Sequence, residues 1–247
     1  EQHTVLDPLG VLTLAASVTE RIGIGTNVLV APWYPPVILA RALTTLDIIS
    51  SGRLTVGLGL GWSADEYAAV GVPQRRLAEQ MEEVLEVLAT IWTTDIVEYR
   101  SERFHIAPSQ IFPKPRQRPR PRLLLAAYTP AGLARIARSA DGWTPAGLPV
   151  DALAPMWAAL RDLTAAEGRD PDTLDLVVRA NVKITETALG SDRPSYWGSV
   201  AQILDDLAAT RAAGAHEVIL DLGGCASTAA ELLDRTALLA VDALTVV

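Results

Sequence analysis

Residues 19–62 read TERIGIGTNVLVAPWYPPVILARALTTLDIISSGRLTVGLGLGW, and this stretch decides the fold. Arg21–Val30 is β-branched and too rich in glycine for a helix, as expected of a buried strand in a parallel sheet. Pro35–Ser50 returns to helical spacing and stops at Ser51-Gly52, a C-terminal signal. Leu54–Leu60 is a second short buried strand. A strand, a helix and a strand of these lengths make one right-handed crossover between parallel strands.

The same alternation extends in both directions. Upstream, Pro8–Glu20 has near-helical apolar spacing, with Asp7 as N-cap and Pro8 in the first turn. Downstream, Leu77–Trp92 is an amphipathic helix with Leu77, Met81, Val84, Leu85 and Leu88 on one face. The pattern pauses over 93–120. There Ile96–Tyr99 and Phe104–Ile106 predict a small hairpin around Ser101-Glu102, and the run FPKPRQRPRPR predicts an extended connection. It resumes with strand Arg122–Ala126, helix Pro130–Ser139, a short strand at Gly142–Thr144 and helix Asp151–Glu167. Strand Leu174–Ile184, helix Ser199–Ala213, strand Glu217–Leu222 and a helix from about Thr228 to Leu244 complete the chain. Strands alternating with helices mark an α/β protein with a parallel sheet. An open doubly wound sheet and a (β/α)8 barrel lacking its first two strands fit this count equally. The first of these lacks its usual sign, a G-x-G-x-x-G turn opening a helix after the first strand.

Composition narrows the function classes. The 247 residues carry 21 Lys+Arg against 29 Asp+Glu, a net charge of −8, which disfavours nucleic acid or an anionic membrane as partner. With 49% apolar and 20% charged residues the chain can bury a core. Cys225 is the single cysteine, so an intrachain disulfide and a cysteine zinc cage are excluded. His3, His105 and His216 lie far apart, and no metal site is predicted. Ile22–Ala40 is nineteen uncharged residues, but Gly23, Gly25, Pro32, Pro35 and Pro36 would break a membrane-spanning helix repeatedly. The chain opens at Glu1 with no basic leader ahead of an apolar run, which leads to the expectation of a cytoplasmic protein.

The blocks DPLGVLTLAASVTERIGIGTNVLVAP (7–32), PPVILARALTTLDIISSGRLTVGLGLGW (35–62), DEYAAVGVP (65–73), FPKP (112–115) and ADGW (140–143) occur in an order and at spacings that resemble the luciferase-like monooxygenase superfamily. The likeness is to its branch dependent on the deazaflavin coenzyme F-420. It implies one TIM-barrel domain over 1–247, with an insertion at about 93–120. By the same comparison the family's first strand, first helix and most of its second strand are missing, and Glu1-Gln2-His3 is the tail of strand two. Six strands cannot close a barrel, so residues preceding Glu1, or another chain, would have to cover its open edges.

The resemblance also implies a site at the carboxyl ends of the strands. Asn27-Val28 matches a non-proline cis peptide that lies against the cofactor ring in the family. Gly59, Leu60, Gly61 and Trp62 match a glycine-bearing strand tip where backbone approaches that ring. Trp62 stands where some F-420 enzymes carry an acidic proton donor, with Asp65 and Glu66 close by in sequence. Ala126, Ala127, Tyr128 and Thr129 match the phosphate seat, with alanines where glycines are usual. Thr129 as N-cap and Pro130 in the first turn would present a helix N-terminus to an anion. His3 is the candidate catalytic group, since a histidine or acidic residue near this position contacts substrate or cofactor in the family. His105, His216 and Cys225 are read as structural.

Lys114–Arg122 holds five basic residues in nine, read as a solvated loop or as a region that attracts an anionic substrate or the acidic F-420 tail. The implied function is hydride transfer between F-420 and a small organic substrate. The rivals are an FMN-dependent monooxygenase and a non-catalytic barrel that binds flavin or nothing. A homodimer is expected through the helices over 8–20 and 35–50.

Overall fold

In the computed structural model, which describes residues 6–246, Asp7 opens the first helix by accepting the Gly10 N–H at 2.6 Å, with Pro8 in the first turn. Helix α1 (Pro8–Ser17) leads to two short strand pieces, β1 (Ile24–Gly25) and β2 (Leu29–Val30), where one unbroken strand over 21–30 is expected from sequence. Helix α2 (Pro36–Ile49), strand β3 (Leu54–Gly59), the short helix α3 (Ala64–Ala69) and helix α4 (Leu77–Thr93) follow. A hairpin of β4 (Ile96–Arg100) and β5 (His105–Gln110) and strand β6 (Arg122–Leu125) complete the first of two units, which ends at Leu125. In this unit β1 and β2 pair with β3 and β3 pairs with β6, all parallel, while the hairpin is antiparallel. Leu54, Val56 and Leu58 of β3, Leu39, Leu43 and Leu46 of α2 and Val84 and Leu88 of α4 are all buried, with α2 packed on both β3 and α4.

The second unit begins at Ala126. It contains helix α5 (Pro130–Ser139), strand β7 (Gly142–Trp143), helix α6 (Val150–Ala166), strands β8 (Asp175–Asn181), β9 (Lys183–Ile184) and β10 (Trp197–Gly198), helix α7 (Val200–Ala212), strand β11 (Glu217–Asp221) and helix α8 (Ala229–Val246). The single strand expected over 174–184 is two pieces, and the ribbon β9–β10 is an addition. Strands β7, β8 and β11 pair side by side in chain order, all parallel. Within each unit the strands of the parallel sheet sit side by side in chain order.

Helix ends are closed by long cationic side chains. The Arg53 fork donates to the carbonyls of Ala16, Thr19 and Ile22 after α1, and its Nε donates to Ser50 after α2. Arg169 closes α5 on Ala137 and Ala140 in the same way, and Lys114 closes α4 on Ile91 and Thr94. These carbonyls have no partner within their own helices, so each cation answers both an orphaned acceptor and the negative end of a helix dipole. Among the described residues no helix is long and apolar enough to cross a membrane.

The basic run is tied down by a buried carboxylate. Asp47, 0% exposed, accepts the backbone N–H of Arg116 (2.6 Å) and of Gln117 (3.0 Å) and the Gln117 side-chain amide (2.6 Å). Because Arg122 pairs with Thr55, the run ends at the amino ends of β3 and β6, opposite their tips. Arg116 and Arg118 stay exposed, as in a solvated loop, but the backbone is anchored and the run does not lie beside the tip residues of its unit. Replacing Asp47 by alanine removes the acceptor of three part-buried hydrogen bonds, of which only the Gln117 amide keeps another partner in the Leu54 carbonyl, and is expected to cost about 2 kcal/mol in urea unfolding, whereas Asp47→Asn keeps one acceptor and costs less. Equal stability of wild type and Asp47→Ala would refute this anchoring role.

Candidate active site

The register of β3 shows why the neighbouring strand is split. Gly25 lies beside Thr55 and Leu29 beside Leu58, so four steps along one strand match three along the other. One extra residue is accommodated over Thr26–Val28, a β-bulge at the end of a parallel ladder. The Thr26 hydroxyl repairs the interrupted ladder: it donates to the Gly57 carbonyl and accepts the Gly57 N–H, both at 2.9 Å. A Cβ on Gly57 would lie 2.1 Å from the Thr26 carbonyl oxygen, so the bulge fits only against glycine. The Asn27–Val28 peptide is cis, as the family likeness implies.

Beyond the bulge, the Tyr67 hydroxyl donates to the Leu60 carbonyl, and burial raises the phenol above its ordinary pKa. Gly61 has φ +68°, and a Cβ there would fall 2.9 Å from Val30 Cγ1. Packing against Val30 thus accounts for Gly61 without any ligand. Trp62 is 89% exposed, with its carbonyl accepting the Gln74 amide at 3.2 Å. Asp65 and Glu66 occupy the first turn of α3, capped by Ser63. Asn27 and Val28 therefore lie in the bulge between β1 and β2, beside the last residues of β3, and Gly59, Leu60 and Gly61 follow at the carboxyl end of β3. Trp33 stands edge-on to Tyr67, with ring centroids 5.7 Å apart, and its buried indole N–H has no partner.

In the second unit Thr129 caps α5 by accepting the Gly132 N–H at 3.1 Å, with Pro130 in the first turn. The cap uses one N–H of that turn and proline lacks one, which leaves the Ala131 N–H without an intrahelical acceptor. The Trp143 indole donates to the Ala127 carbonyl at 2.9 Å, and the Tyr128 hydroxyl bridges the N–H and C=O of Ala146, both at 3.1 Å. A Cβ on Gly132 would come within 2.7 Å of the Ala127 methyl, so small residues at both positions form one packing pair. The segment Ala126–Thr129 is thereby fixed to the loop after β7. His3 lies outside the described residues. His216 is structural: its Nδ1 accepts the Leu176 N–H, and its ring stands edge-on to Trp157. Cys225 rests its thiol on the Val182 carbonyl, and His105 lies exposed on the hairpin.

The model of the luciferase-like monooxygenase family matches residues 1–189. The chain belongs to this family. An uncharacterised protein of Mycobacterium tuberculosis is 40% identical over 178 residues, 72% of this chain and 62% of that protein. The chain thus spans about three fifths of the length of that relative. An F-420-dependent glucose-6-phosphate dehydrogenase of Amycolatopsis mediterranei is 30% identical over 51% of this chain and 38% of its own length. An FMNH2-dependent dimethylsulfone monooxygenase of Pseudomonas putida is 28% identical over 61% of this chain and 42% of its own length. Among solved structures, a monooxygenase from Streptomyces bottropensis superposes with TM-score 0.85 at 23% identity, over 97% of this chain and 82% of that one. The coenzyme F-420-dependent tetrahydromethanopterin reductase of Methanopyrus kandleri gives TM-score 0.76 at 19% identity, over 87% and 81%. These two likenesses establish the α/β luciferase-like fold. Family members thus include F-420- and FMN-dependent oxidoreductases and monooxygenases.

Sequence reasoning did not find the Thr26–Gly57 hydrogen bonds, the Tyr128–Ala146 bridge, or the pair Arg179–Asp221 that joins β8 to β11. For Arg179 and Asp221 a charged residue inside an otherwise apolar strand was the available signal. For Asp221, burial alone would raise the carboxyl, but the hydrogen bond from Arg179, the Gly223 N–H and the Arg179 charge together hold it below its ordinary value of 3.8. A depressed carboxylate contributes stability that is present above the unfolded value and lost as pH falls through the folded one. Wild type is therefore expected to lose stability relative to Asp221→Asn as pH drops below about 4. Parallel thermal-unfolding curves of the two proteins from neutral pH down to that region would contradict it. A second check concerns the bulge. Thr26→Val leaves both polar groups of Gly57 unmet and is expected to cost about 2 kcal/mol in denaturant unfolding, with Thr26→Ser restoring most of it.

Proposed function

We propose that the chain is an oxidoreductase that holds coenzyme F-420 at its strand tips and moves a hydride between it and a small organic substrate. The observation that carries this reading is the bulged tip of the first unit. There the residues matching the family's ring contacts, Asn27, Val28, Gly59, Leu60 and Gly61, lie together with no charged side chain in the set. A flat, uncharged heterocycle fits such a surface because backbone and small side chains permit close stacking. When bound, the deazaflavin supplies the hydride chemistry, and the protein supplies position and exclusion of water. In the first unit Asn27, Val28, Gly59, Leu60, Gly61 and Trp62 are the proposed ring contacts; in the second, taken by itself, Ala126, Ala127, Tyr128 and Thr129 are the proposed phosphate seat. The positive end of α5 and the Ala131 N–H fit an anion, with Thr129 fixing the turn that presents them. His3 would carry the substrate proton.

FMN in a monooxygenase is the second reading, favoured by the Pseudomonas relative and the Streptomyces structural neighbour. Trp62 in place of an acidic residue is what favours a barrel without catalysis. The exposed apolar residues Leu14 and Val18 on α1 and Ile38, Ile48 and Ile49 on α2 support a homodimer formed through those helices. Fluorescence titration of the protein with F-420 and, separately, with FMN tests the proposal. Saturable binding of F-420, tighter than that of FMN and weakened severalfold by Gly132→Val, is expected. Tighter binding of FMN would favour the monooxygenase, and binding of neither would refute both enzyme readings.

A further inference from the structure

The second unit contains a cavity of about 330 Å³ at the carboxyl end of β8, beside the loop that Tyr128 braces. Its size lies at the small end of the range for organic ligands, about 300–1,000 Å³. Leu148, Pro149, Pro194 and the Trp197 ring supply apolar walls. The polar groups of the lining are nearly all committed elsewhere. Arg193 is clamped by Asp206 through two parallel contacts, Nη1–Oδ2 at 2.6 Å and Nη2–Oδ1 at 2.9 Å, and it also donates to the Trp197 carbonyl at 2.9 Å. A guanidinium held in this forked geometry has its charge matched by the Asp206 carboxylate and both terminal nitrogens engaged, which leaves little to draw a phosphate or carboxylate. The Ser195 hydroxyl accepts the Val150 N–H, and the Tyr196 hydroxyl is buried on Thr210. The Asn181 amide, at the last position of β8, is the lining side chain with both a donor and an acceptor to offer a ligand, while the Ser195 hydroxyl keeps its O–H to donate. Lys183 keeps its ammonium over the Trp197 ring, 4.5 Å from the centroid.

We infer that this cavity takes an uncharged, largely apolar, ring-sized organic molecule, held through one oxygen by the Asn181 amide. The inference rests on the oxidoreductase reading above and names its substrate class. It separates this chain from its Amycolatopsis relative, whose name specifies a sugar phosphate. An anionic substrate would need an unpaired cation in the lining, and the one arginine there is already neutralised.

Calorimetric titration of the cofactor-free protein with acetophenone, a neutral aromatic ketone, and with glucose 6-phosphate tests the assignment. Acetophenone is expected to bind with an affinity unchanged between low and high salt, and glucose 6-phosphate is expected to give no heat. Asn181→Ala should weaken acetophenone about fivefold, the worth of one neutral hydrogen bond. Leu148→Trp, which fills the cavity, should abolish binding while the thermal midpoint stays within a few degrees of wild type. Salt-sensitive binding of glucose 6-phosphate, no binding of acetophenone, or acetophenone binding unaffected by both variants overturns the inference. Because no cofactor is present, these results stand apart from the F-420 and FMN titrations. Failure of those titrations removes the redox reading and leaves the ligand class of the cavity as measured.

Discussion

The tip of the first unit depends on one hydroxyl. Inserting a residue into a strand displaces a peptide from the ladder and leaves its neighbour on the next strand with a buried N–H and C=O to satisfy. The Thr26 side chain answers both groups of Gly57 at once, which is possible only because a hydroxyl donates and accepts. The repair in turn requires glycine opposite, because the bulged backbone occupies the space a Cβ would take. The pair Thr26–Gly57 thus determines where Asn27 and Val28 project, and Val30 then meets Gly61 at the next step along the ladder. A site built this way owes its shape to backbone geometry, so the identity of few exposed side chains matters to it.

The remaining polar groups of the strands and helices follow the same economy. Arg53 and Arg169 each gather several carbonyls left over at a helix end, and Asp47 gathers three donors from a proline-rich segment that cannot form a ladder of its own. The arginines and lysine that dominate the charge of these segments are occupied with structure at helix ends and at the amino ends of strands.

The periodic part of the fold was legible in the sequence. Helix α5 matches its expected bounds of Pro130–Ser139, and α2, α4, α6 and α7 fall within two residues of theirs, because each carries an apolar stripe and a start or stop signal at its ends. The strand over 21–30 was legible as a strand but not as two pieces, since its break is set by the register against β3, 29 to 30 residues away in sequence. The family likeness located the cis peptide and the helix terminus at Thr129. It did not reveal that Gly61 is dictated by Val30, or that the basic run hangs on Asp47 some 70 residues upstream. Contacts of such separation leave no local pattern. Only the residue types, a lone threonine or aspartate amid apolar neighbours, hint that a partner exists.

Charge placement links these details to function. In this protein of net charge −8, Arg53, Lys114 and Arg169 serve helix ends and Arg193 is paired with Asp206, so an anion at the strand tips would be met by the α5 N-terminus rather than by these side chains. Binding there must come from apolar contact, stacking on backbone and a few directed hydrogen bonds. In such surroundings a flat redox heterocycle and an uncharged organic partner are favoured for the same reason. The apolar faces of both leave water without stranding a charge, a neutral polar atom can be met by the Asn181 amide, and the α5 N-terminus keeps its N–H donor for an anion.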